Sequence, residues 1–513
     1  MTKVTFTKDN TPNAARLMSS LRHSGYDNNI ALSDLVDNSL DANASNVEVI
    51  ISDDLKSEKG SITIVDDGVG MNEEILAQAL RLGSLTHRDI ESDLGRFGMG
   101  MVTASISIAR RIEVYTKIKG GDMLVSIMDL DEMERSDSFT VYREKATTEE
   151  KHFAESLGLK GNGTVLILRK CDQLTRPNVA EFGDSLRKDF GETYRYFVRS
   201  GKKLVVNRKP VEIIDPMWQD GVLVEEYKSK SEIYSDETFE LKIDGSEKIE
   251  QFTAKIYILP EFDRTIMRKL KIGIKTQGFY VLRNYRQIAK SDDLNGLWEK
   301  HNDLNRVRVE LLFSGSLDDS MGVNYTKHNI KPNQAVLDKI QNDVMVQVDS
   351  LRNRFKKQHL TNQSKDLDFG EAEKIISQKN KLLDKAEPDK KDRPANLPPK
   401  RVTRTKTDHV KDKPGKPSLS SIARFETHDF GATGPIFEVE KQGKISIIQW
   451  NISHPFYQRF ILEYKENKDL LNAVSFLAYS LGEAKLKYSS EETYEMLENI
   501  MSTISTNLRV LLS

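Results

Sequence analysis

Four polar side chains recur at helical spacing in the segment ALSDLVDNSLDA. A helix over this segment places Asp34, Asp37, Asn38 and Asp41 on one face and turns Ser39 elsewhere. Each buried carboxylate costs on the order of several kcal/mol unless it is paired or binds a cation. The face is therefore suited to a hydrated divalent metal and a nucleotide, although a solvated acidic face would also explain this segment taken alone.

A second candidate site follows a predicted strand at 61–67, where the sequence runs D-x-G-x-G-M from Asp66 to Met71. A carboxylate at a strand end can accept a hydrogen bond from an exocyclic amine. The glycines at 68 and 70 would allow the backbone to approach a flat ligand closely. The motif is weak by itself, because an ordinary β-turn has the same composition.

A glycine-rich segment, with Gly95, Gly98 and Gly100, precedes an apolar segment that we predict to be a buried helix. Free N–H groups and the dipole at a helix N-terminus attract anions such as phosphates. The spacing G-x-x-G-x-G differs from the dinucleotide fingerprint G-x-G-x-x-G, and no G-x-x-x-x-G-K-[ST] motif occurs in the sequence. The Rossmann and P-loop classes are therefore excluded.

These motifs alternate with short β-branched segments that predict strands. Polar, turn-prone residues between some of the strands indicate a sheet that is at least partly antiparallel, with helices against it. We predict a two-layer α/β sandwich. Its strands are predicted at 47–52, 61–67, 111–117, 123–130 and 163–168, and its helices at 73–82, at 173–199 and over the first and third motifs.

In chain order, the motifs A-x-x-[E/D]-L-x-D-N-S-x-D-A, D-x-G-x-G-M, G-x-x-G-x-G and G-T resemble those of the Bergerat-fold (GHKL) ATPases. That class includes gyrase, heat-shock chaperone ATPases, histidine kinases, MutL and the microrchidia (MORC) proteins. The resemblance covers residues 11–170 and is closest in character to MORC- and MutL-like bacterial ATPases. It implies ATP and Mg²⁺ as ligands of a Bergerat α/β sandwich.

The resemblance also implies a role for individual residues. Asn38 would coordinate Mg²⁺, Asp66 would accept from the adenine amino group, and Thr164 would bond beside it. Residues 84–94 would form the mobile part of a lid over the phosphates. The other residues that the resemblance implies for nucleotide binding are Asp41, Gly68, Gly70, Met71, Gly95, Phe97, Gly98, Met99, Gly100 and Met101.

Two residues are implied to be catalytic. The general base of the family, usually Glu, falls on Asp34, whose side chain is one methylene shorter. A misplacement on the order of 1 Å can cost ~10²-fold in rate, so we expect slow hydrolysis, or ATP binding without turnover. The lysine that reports the γ-phosphate would be Lys327, and Lys275 is the second choice.

The length of 513 residues suggests about three domains. We predict a GHKL ATPase domain at 1–200, an α+β transducer domain of ribosomal-S5-like type at 201–360, and a charged flexible linker at 361–420. A small α+β or helical module at 421–513 would be a possible dimerisation domain. Residues 400–416 carry seven Lys or Arg and two Asp, a net charge of +5 that suits a phosphate backbone, although a solvated linker explains it equally well.

Composition restricts the cellular context. Lys and Arg number 76 and Asp and Glu 78, so overall charge neither requires nor excludes nucleic acid. A single cysteine, Cys171, permits no internal disulfide, and no apolar segment approaches the ~20 residues of a membrane span. We expect a cytoplasmic protein without a membrane partner.

The first functional hypothesis is an ATP-gated dimeric switch or clamp acting on duplex DNA. The resemblance of the motifs to those of MORC and MutL proteins also suggests a role in restriction or phage defence. Two alternatives stay open: a heat-shock-type chaperone, and a non-hydrolysing, nucleotide-gated scaffold that recruits an effector protein encoded elsewhere. ATP-dependent retention on duplex DNA that salt weakens would favour the clamp over the chaperone. ATP turnover that requires Asp34 would exclude the scaffold.

Overall fold

The computed structural model describes residues 12–23, 26–55, 57, 60–83, 91, 93–95, 100–175, 178–219, 229–242, 249–323, 330–364, 367–383, 422–442, 444–487 and 491–512. The chain forms two compact units, Met1–Ser350 and Leu351–Ser513. None of the helices within the described ranges is long and apolar enough to cross a membrane.

The first unit contains an eight-stranded sheet with the order β5-β4-β3-β6-β2-β1-β7-β8. Neighbouring strands are antiparallel except for β1 and β7, which are parallel. The strands are β1 (Asn46–Ile51), β2 (Ser61–Asp66), β3 (Arg111–Lys117), β4 (Met123–Asp129), β5 (Tyr142–Lys145), β6 (Gly163–Arg169), β7 (Lys203–Val206) and β8 (Lys209–Pro210).

The helices of this part of the unit pack mainly on one face of the sheet. The larger apolar core contains Leu32 and Val36 of the second helix together with Ile64 of β2, and a smaller core on the other face contains Val165 of β6 and Ala154. The helices of this part of the unit are α1 (Ala14–Arg22), α2 (Asn28–Asp41), α3 (Glu73–Ala79), α4 (Gly100–Ile106), α5 (Leu130–Ser136), α6 (Thr148–Ser156), α7 (Val179–Thr193) and α8 (Arg195–Arg199).

The central helix α2 begins where the side chain of Asp27 accepts a hydrogen bond from the main-chain N–H of Asn29, at 2.9 Å. Its apolar residues, including Leu35, pack into the larger core. Asp34 and Asp37 are also buried, so α2 is enclosed on its acidic side as well. The alternative explanation of this segment, a solvated acidic face, therefore does not hold for Asp34 and Asp37.

A second, five-stranded sheet follows in the same unit, with the order β12-β11-β13-β10-β9. Strands β11 and β13 are parallel and the other neighbours are antiparallel. Its strands are β9 (Glu232–Lys242), β10 (Ile249–Ile258), β11 (Gly278–Arg283), β12 (Arg286–Asp292) and β13 (Val307–Phe313), and its helices are α9 (Arg264–Lys269) and α10 (Gln334–Ile340), with a π-helical segment at Gln341–Met345. Helix α11 (Val346–Ser364) begins in this unit and ends in the second.

The second unit contains a three-stranded sheet with the order β14-β16-β15, whose core includes Trp450 and Tyr457. Its elements are α12 (Gly370–Gln378), β14 (Ala423–His428), β15 (Phe437–Gln442), β16 (Ile445–Asn451), a π-helical segment at Tyr457–Leu462, α13 (Lys468–Lys487) and α14 (Glu491–Leu512). Helix α12 falls inside the predicted linker, yet its Ala372 and Ile376 are buried in this core. The bounds of the four predicted domains stay predictions.

The predicted fold class is confirmed. An antiparallel-rich α/β sandwich comes first, and further α+β parts follow it. Helix α3 is shorter than predicted, since it ends at Ala79. The helical segment predicted at 173–199 is two helices, α7 and α8, which meet at Tyr194.

Candidate functional site

A cleft of about 280 Å³ opens between α2, the ends of β2 and β6, and the start of α4. Apolar side chains such as Ile64 and Leu166 form part of its wall. Such a mixture of apolar wall and few polar groups is typical of small-molecule sites. Seven of the predicted nucleotide-binding residues line this cleft together: Asn38, Asp41, Asp66, Gly70, Met71, Met101 and Thr164.

Asp66 is a buried carboxylate at the floor of the cleft, with 7% of its surface exposed. Its Oδ1 accepts from the main-chain N–H groups of Gly68 at 3.0 Å and Thr164 at 3.2 Å, and its Oδ2 accepts from the hydroxyl of Ser39 at 2.9 Å. Burial raises the pKa of Asp66 to about 6, even though these hydrogen bonds act to lower it. The side chain is mostly an ionised acceptor at neutral pH.

Thr164 lies directly opposite Asp66, because β2 and β6 pair these two residues in register. Its hydroxyl lies 3.1 Å from the hydroxyl of Thr116 on β3. Thr116 in turn accepts from the main-chain N–H of Met71 at 2.9 Å. Three adjacent strands thus fix the polar floor of the cleft.

The glycines of D-x-G-x-G-M serve chain packing in this structure. Gly70 has a φ of 72°, and a Cβ atom there would overlap the carbonyl oxygen of Lys117. A Cβ at Gly68 would lie 2.8 Å from the carbonyl oxygen of Ala42. The close approach predicted toward a flat ligand is therefore found between backbone segments, and Gly68 is not among the residues that line the cleft.

Asn38 and Asp41 bring the polar edge of α2 to the cleft. The Nδ2 of Asn38 donates to the carbonyl oxygen of Asp34 at 3.0 Å, so Oδ1 is the atom suited to a metal. Asp41 accepts from the N–H groups of Leu94 at 2.8 Å and Gly95 at 2.9 Å. It therefore anchors the segment 93–95 beside the cleft.

This donor set fits Mg²⁺ only together with a phosphate ligand. Within the described ranges, no group of three or more His, Cys, Asp or Glu side chains is arranged to hold a metal ion. Mg²⁺ usually takes one or two protein oxygens and completes its shell with water and substrate phosphates. One amide oxygen from Asn38 in a cleft of this kind meets that requirement.

The other two carboxylates of α2 point to a different set of partners. The guanidinium of Arg286 on β12 donates through Nε to Asp37 Oδ1 at 2.8 Å and through Nη2 to Asp34 Oδ1 at 3.4 Å. The hydroxyl of Tyr194 donates to Asp37 at 2.8 Å, and that of Tyr26 to Asp34 at 3.2 Å. Asp34 is 3% exposed and is not among the residues that line the cleft.

The sequence did not predict a role for four residues of this site. Ser39 was predicted to turn away, yet its hydroxyl bonds to Asp66. Thr116 is the next-to-last residue of a correctly predicted strand, where a polar residue in a β-branched segment was an available signal. Arg286 and Tyr194 lie 249 and 157 positions from Asp37, and no local pattern relates them to it.

Several predicted residues lie elsewhere or outside the described residues. Gly95 bonds to Asp41, and Gly100 begins α4, where a Cβ would meet no atom within 4 Å. Lys275 is exposed, in a short 3₁₀ helix at Ile274–Thr276. The predicted residues Phe97, Gly98, Met99 and Lys327, most of the predicted lid at 84–94 and the basic segment at 400–416 lie outside the described residues.

A buried aspartate, a threonine paired with it across two strands, and an asparagine of the central helix thus line one cleft of an α/β sandwich. Residues 26–164 match the model of a family described as "Histidine kinase-, DNA gyrase B-, and HSP90-like ATPase". The predicted GHKL ATPase family is therefore confirmed for this part of the chain.

The chain is also similar to the protein MICRORCHIDIA 7 of Arabidopsis thaliana. The two are 30% identical over 95 residues, which is 18% of this chain and 13% of that relative. The similarity agrees with the MORC resemblance of the motifs. Because it spans so small a share of the relative's length, it concerns only a limited part of either protein.

Proposed function

We propose that this protein binds ATP together with Mg²⁺ and hydrolyses the ATP slowly. The observation that carries the proposal is that Asn38 of α2 lines the same cleft as the paired residues Asp66 and Thr164. The floor of the cleft then offers an acceptor for an amino group, and its helix side offers an oxygen for a metal. This arrangement suits the two ends of a purine nucleoside triphosphate.

Each residue has a defined part in the proposed reaction. Asp66 would accept from the adenine amino group, with the Thr164 hydroxyl beside it, while Asn38 would hold Mg²⁺ through Oδ1. When bound, Mg²⁺ would offset the negative charge of the phosphates. Asp34 would orient and deprotonate the attacking water as the general base, and Lys327 would contact the γ-phosphate.

A second candidate function is a nucleotide-gated scaffold that binds ATP without turning it over and recruits an effector protein. The observation that favours it is the position of Asp34, which is engaged by Arg286 and Tyr26 and does not line the cleft among the described residues. A base held in that position does not reach a water in the cleft unless α2 or its partners shift. Turnover therefore distinguishes the two functions.

We further propose that binding of ATP closes two copies of the chain as a clamp on duplex DNA, as in MORC- or MutL-like proteins. The protein would act in the cytoplasm, in restriction or phage defence. The final helix α14 supports a homodimer, because Met496, Ile500, Val510 and Leu511 on it are exposed apolar side chains. The positive segment at 400–416 supports DNA contact. A heat-shock-type chaperone is the alternative if DNA has no effect.

The test is steady-state ATP hydrolysis by the full chain, with and without long duplex DNA. Asn38→Ala is the control for contaminating ATPase, because it removes the proposed metal ligand. We expect slow turnover in the native protein, stimulation by DNA and loss of both in the variant. Nucleotide binding without turnover in either condition would establish the scaffold instead.

A second experiment distinguishes nucleotide binding from ATP hydrolysis. Asp34→Ala should bind a fluorescent ATP analogue as the native chain does but should not hydrolyse ATP. If Asp34→Ala retains native turnover, Asp34 is not the base. Failure of the native protein to bind the analogue would contradict the proposed function altogether.

A further inference from the structure

The hairpin β11–β12 of the second sheet ends in a two-residue turn that contacts the first sandwich. The turn consists of Asn284 and Tyr285, which have positive φ angles of 47° and 65°. A turn of this kind matches the twist of the two strands and fixes their register. The side chains of Arg283, which is the last residue of β11, and of Asn284 therefore leave the hairpin at a defined place.

The guanidinium of Arg283 is buried and held in one orientation by a carboxylate of its own sheet. Its Nε and Nη2 donate to the two carboxylate oxygens of Asp318, at 2.6 Å and 2.8 Å. Both residues are 1% exposed, and Asp318 follows β13 in the chain. A planar guanidinium bound by two parallel hydrogen bonds has a fixed direction. The third nitrogen, Nη1, is therefore aimed by the second sheet.

This third nitrogen bonds to the edge of the cleft. Nη1 of Arg283 donates to the carbonyl oxygens of Asp93 at 2.7 Å and Leu94 at 3.2 Å. The side-chain amide of Asn284 donates to the same carbonyl oxygen of Asp93, at 3.1 Å. Asp93 is one of the residues that line the cleft. The hairpin therefore holds a wall of the cleft through its main chain.

The segment 93–95 is also held by the first sandwich. Its N–H groups at Leu94 and Gly95 donate to Asp41 of α2, and the side chain of Leu94 packs in the larger core. The donors of the segment thus bond to one sheet's sandwich and its acceptors to the other sheet. A segment fixed in both ways loses little conformational entropy when a ligand binds beside it, which favours tight binding.

We propose that Arg283 is a positioning residue for nucleotide binding. It fixes the main chain of Asp93 and Leu94 at the edge of the cleft, so that the affinity for ATP depends on a side chain of the second sheet. This inference rests on the proposed function, in which the cleft binds ATP, but it does not depend on turnover. Arg283 acts through Asp93 and is not among the residues that line the cleft.

Another buried arginine of the same sheet has a different pattern of contacts. Arg308 on β13 is 2% exposed and donates to the carbonyl oxygens of Asn305 and Val307 and to the hydroxyl of Thr276. None of these four residues is among the described residues that line the cleft. Arg308 is therefore a matched control for the loss of a buried guanidinium from this sheet.

The experiment compares Arg283→Gln, Asn284→Gly and Arg308→Gln in the full chain. Glutamine has one nitrogen donor where arginine has three, and glycine removes the amide of Asn284 while accepting its positive φ. Each variant is assayed for the Kd of a fluorescent ATP analogue, for kcat at saturating ATP and for thermal unfolding. Hydrogen exchange of the Leu94 and Gly95 amides, measured without nucleotide, reports directly on the segment.

Arg283→Gln should have the larger effect on binding. It loses two hydrogen bonds to the cleft edge, and each is worth about fivefold in affinity, so we expect Kd to rise about 20-fold. Asn284→Gly loses one such bond and should raise Kd about fivefold. In both variants the two amides should exchange faster, and kcat should stay native. Arg308→Gln should lower the melting temperature and leave Kd and exchange native.

The possible outcomes separate this inference from the proposed function. If the native chain binds the analogue and Arg283→Gln has a native Kd, the inference is overturned while the function stands. Equal increases of Kd in Arg283→Gln and Arg308→Gln would also overturn it, because any lost guanidinium would then suffice. If Arg283→Gln does not fold, Asn284→Gly decides, since native Kd and native exchange there overturn the inference. Failure of the native chain to bind the analogue would contradict the function itself.

Discussion

The carboxylates of Asp66 and Asp34 belong to one candidate site, but their partners come from different distances along the chain. Asp66 is held by Ser39, Gly68 and Thr164, all within the first sandwich. Asp34 bonds to Arg286, which is 252 positions away on the second sheet. The proposed recognition of the nucleotide thus uses residues of one sandwich, whereas the contacts of the proposed base come from two sheets.

Breaking the α2 ion pair should have the largest effect. Asp37→Ala would leave the Arg286 guanidinium and the Tyr194 hydroxyl without a buried acceptor that both now use. Removing one partner of a buried ion pair costs about 3–5 kcal/mol. We expect a loss of that size in the free energy of unfolding measured with urea. A loss below ~1 kcal/mol would show that the pair is solvated in solution.

The buried carboxylate of Asp66 should make the free energy of unfolding depend on pH. Because the pKa of Asp66 is about 6 in the folded chain and 3.8 is the ordinary value, the folded state binds more protons between these values. The contribution of Asp66 to the free energy of unfolding should therefore be largest below about pH 4 and should be lost as the pH rises through about 6. Relative to Asp66→Asn, the native chain should lose about 3 kcal/mol across that range. Parallel urea-unfolding curves for the two proteins would contradict this.

Asp66→Asn should weaken nucleotide binding more than it weakens the fold. The amide Oδ1 can still accept from the N–H groups of Gly68 and Thr164, but the charged acceptor is lost. A hydrogen bond to a charged group is worth about 1.5–3 kcal/mol, so we expect roughly 10- to 100-fold weaker binding of ATP by calorimetry. Asp67→Asn is the matched control, since Asp67 bonds to Ser45 and Asn46. Equal losses in both variants would exclude Asp66 as the recognition residue.

The smallest effect is expected at Asp41, which contacts the cleft edge. Asp41→Asn keeps one acceptor for the N–H groups of Leu94 and Gly95 where the carboxylate supplies two. Loss of one hydrogen bond is worth about 1 kcal/mol, so the Kd for ATP should rise about fivefold. Direct titration with the fluorescent analogue measures this change. No change in Kd would mean that the segment 93–95 has no part in binding.

Sequence patterns were sufficient where the determinants are local. Strand β3 was predicted with its exact limits at 111–117, because alternating β-branched residues lie between turn-forming residues. The residues Asn38, Asp66 and Thr164, which line one cleft, were predicted from the resemblance of four ordered motifs to those of GHKL ATPases.

The contacts that cross from one sheet to another could not be predicted. Arg286 occurs in the segment RNYRQIA, where nothing distinguishes it from a surface arginine. Tyr194 lies at the junction of α7 and α8, within a segment predicted as one helix. Both bond to Asp37 only after the chain has folded, and a single sequence does not record which distant residues meet.

The origin of Arg286 on a separate sheet has a practical consequence for truncated proteins. A fragment that stops after the first sandwich would retain Asp34 and Asp37 without the Arg286 ion pair. Such a fragment would still offer Asp66 and Asn38 to a nucleotide, so we expect a ligand screen on it to find binders. Turnover measured on the same fragment would report a helix that lacks a buried ion pair, and inactivity there would be an artefact of where the gene was cut.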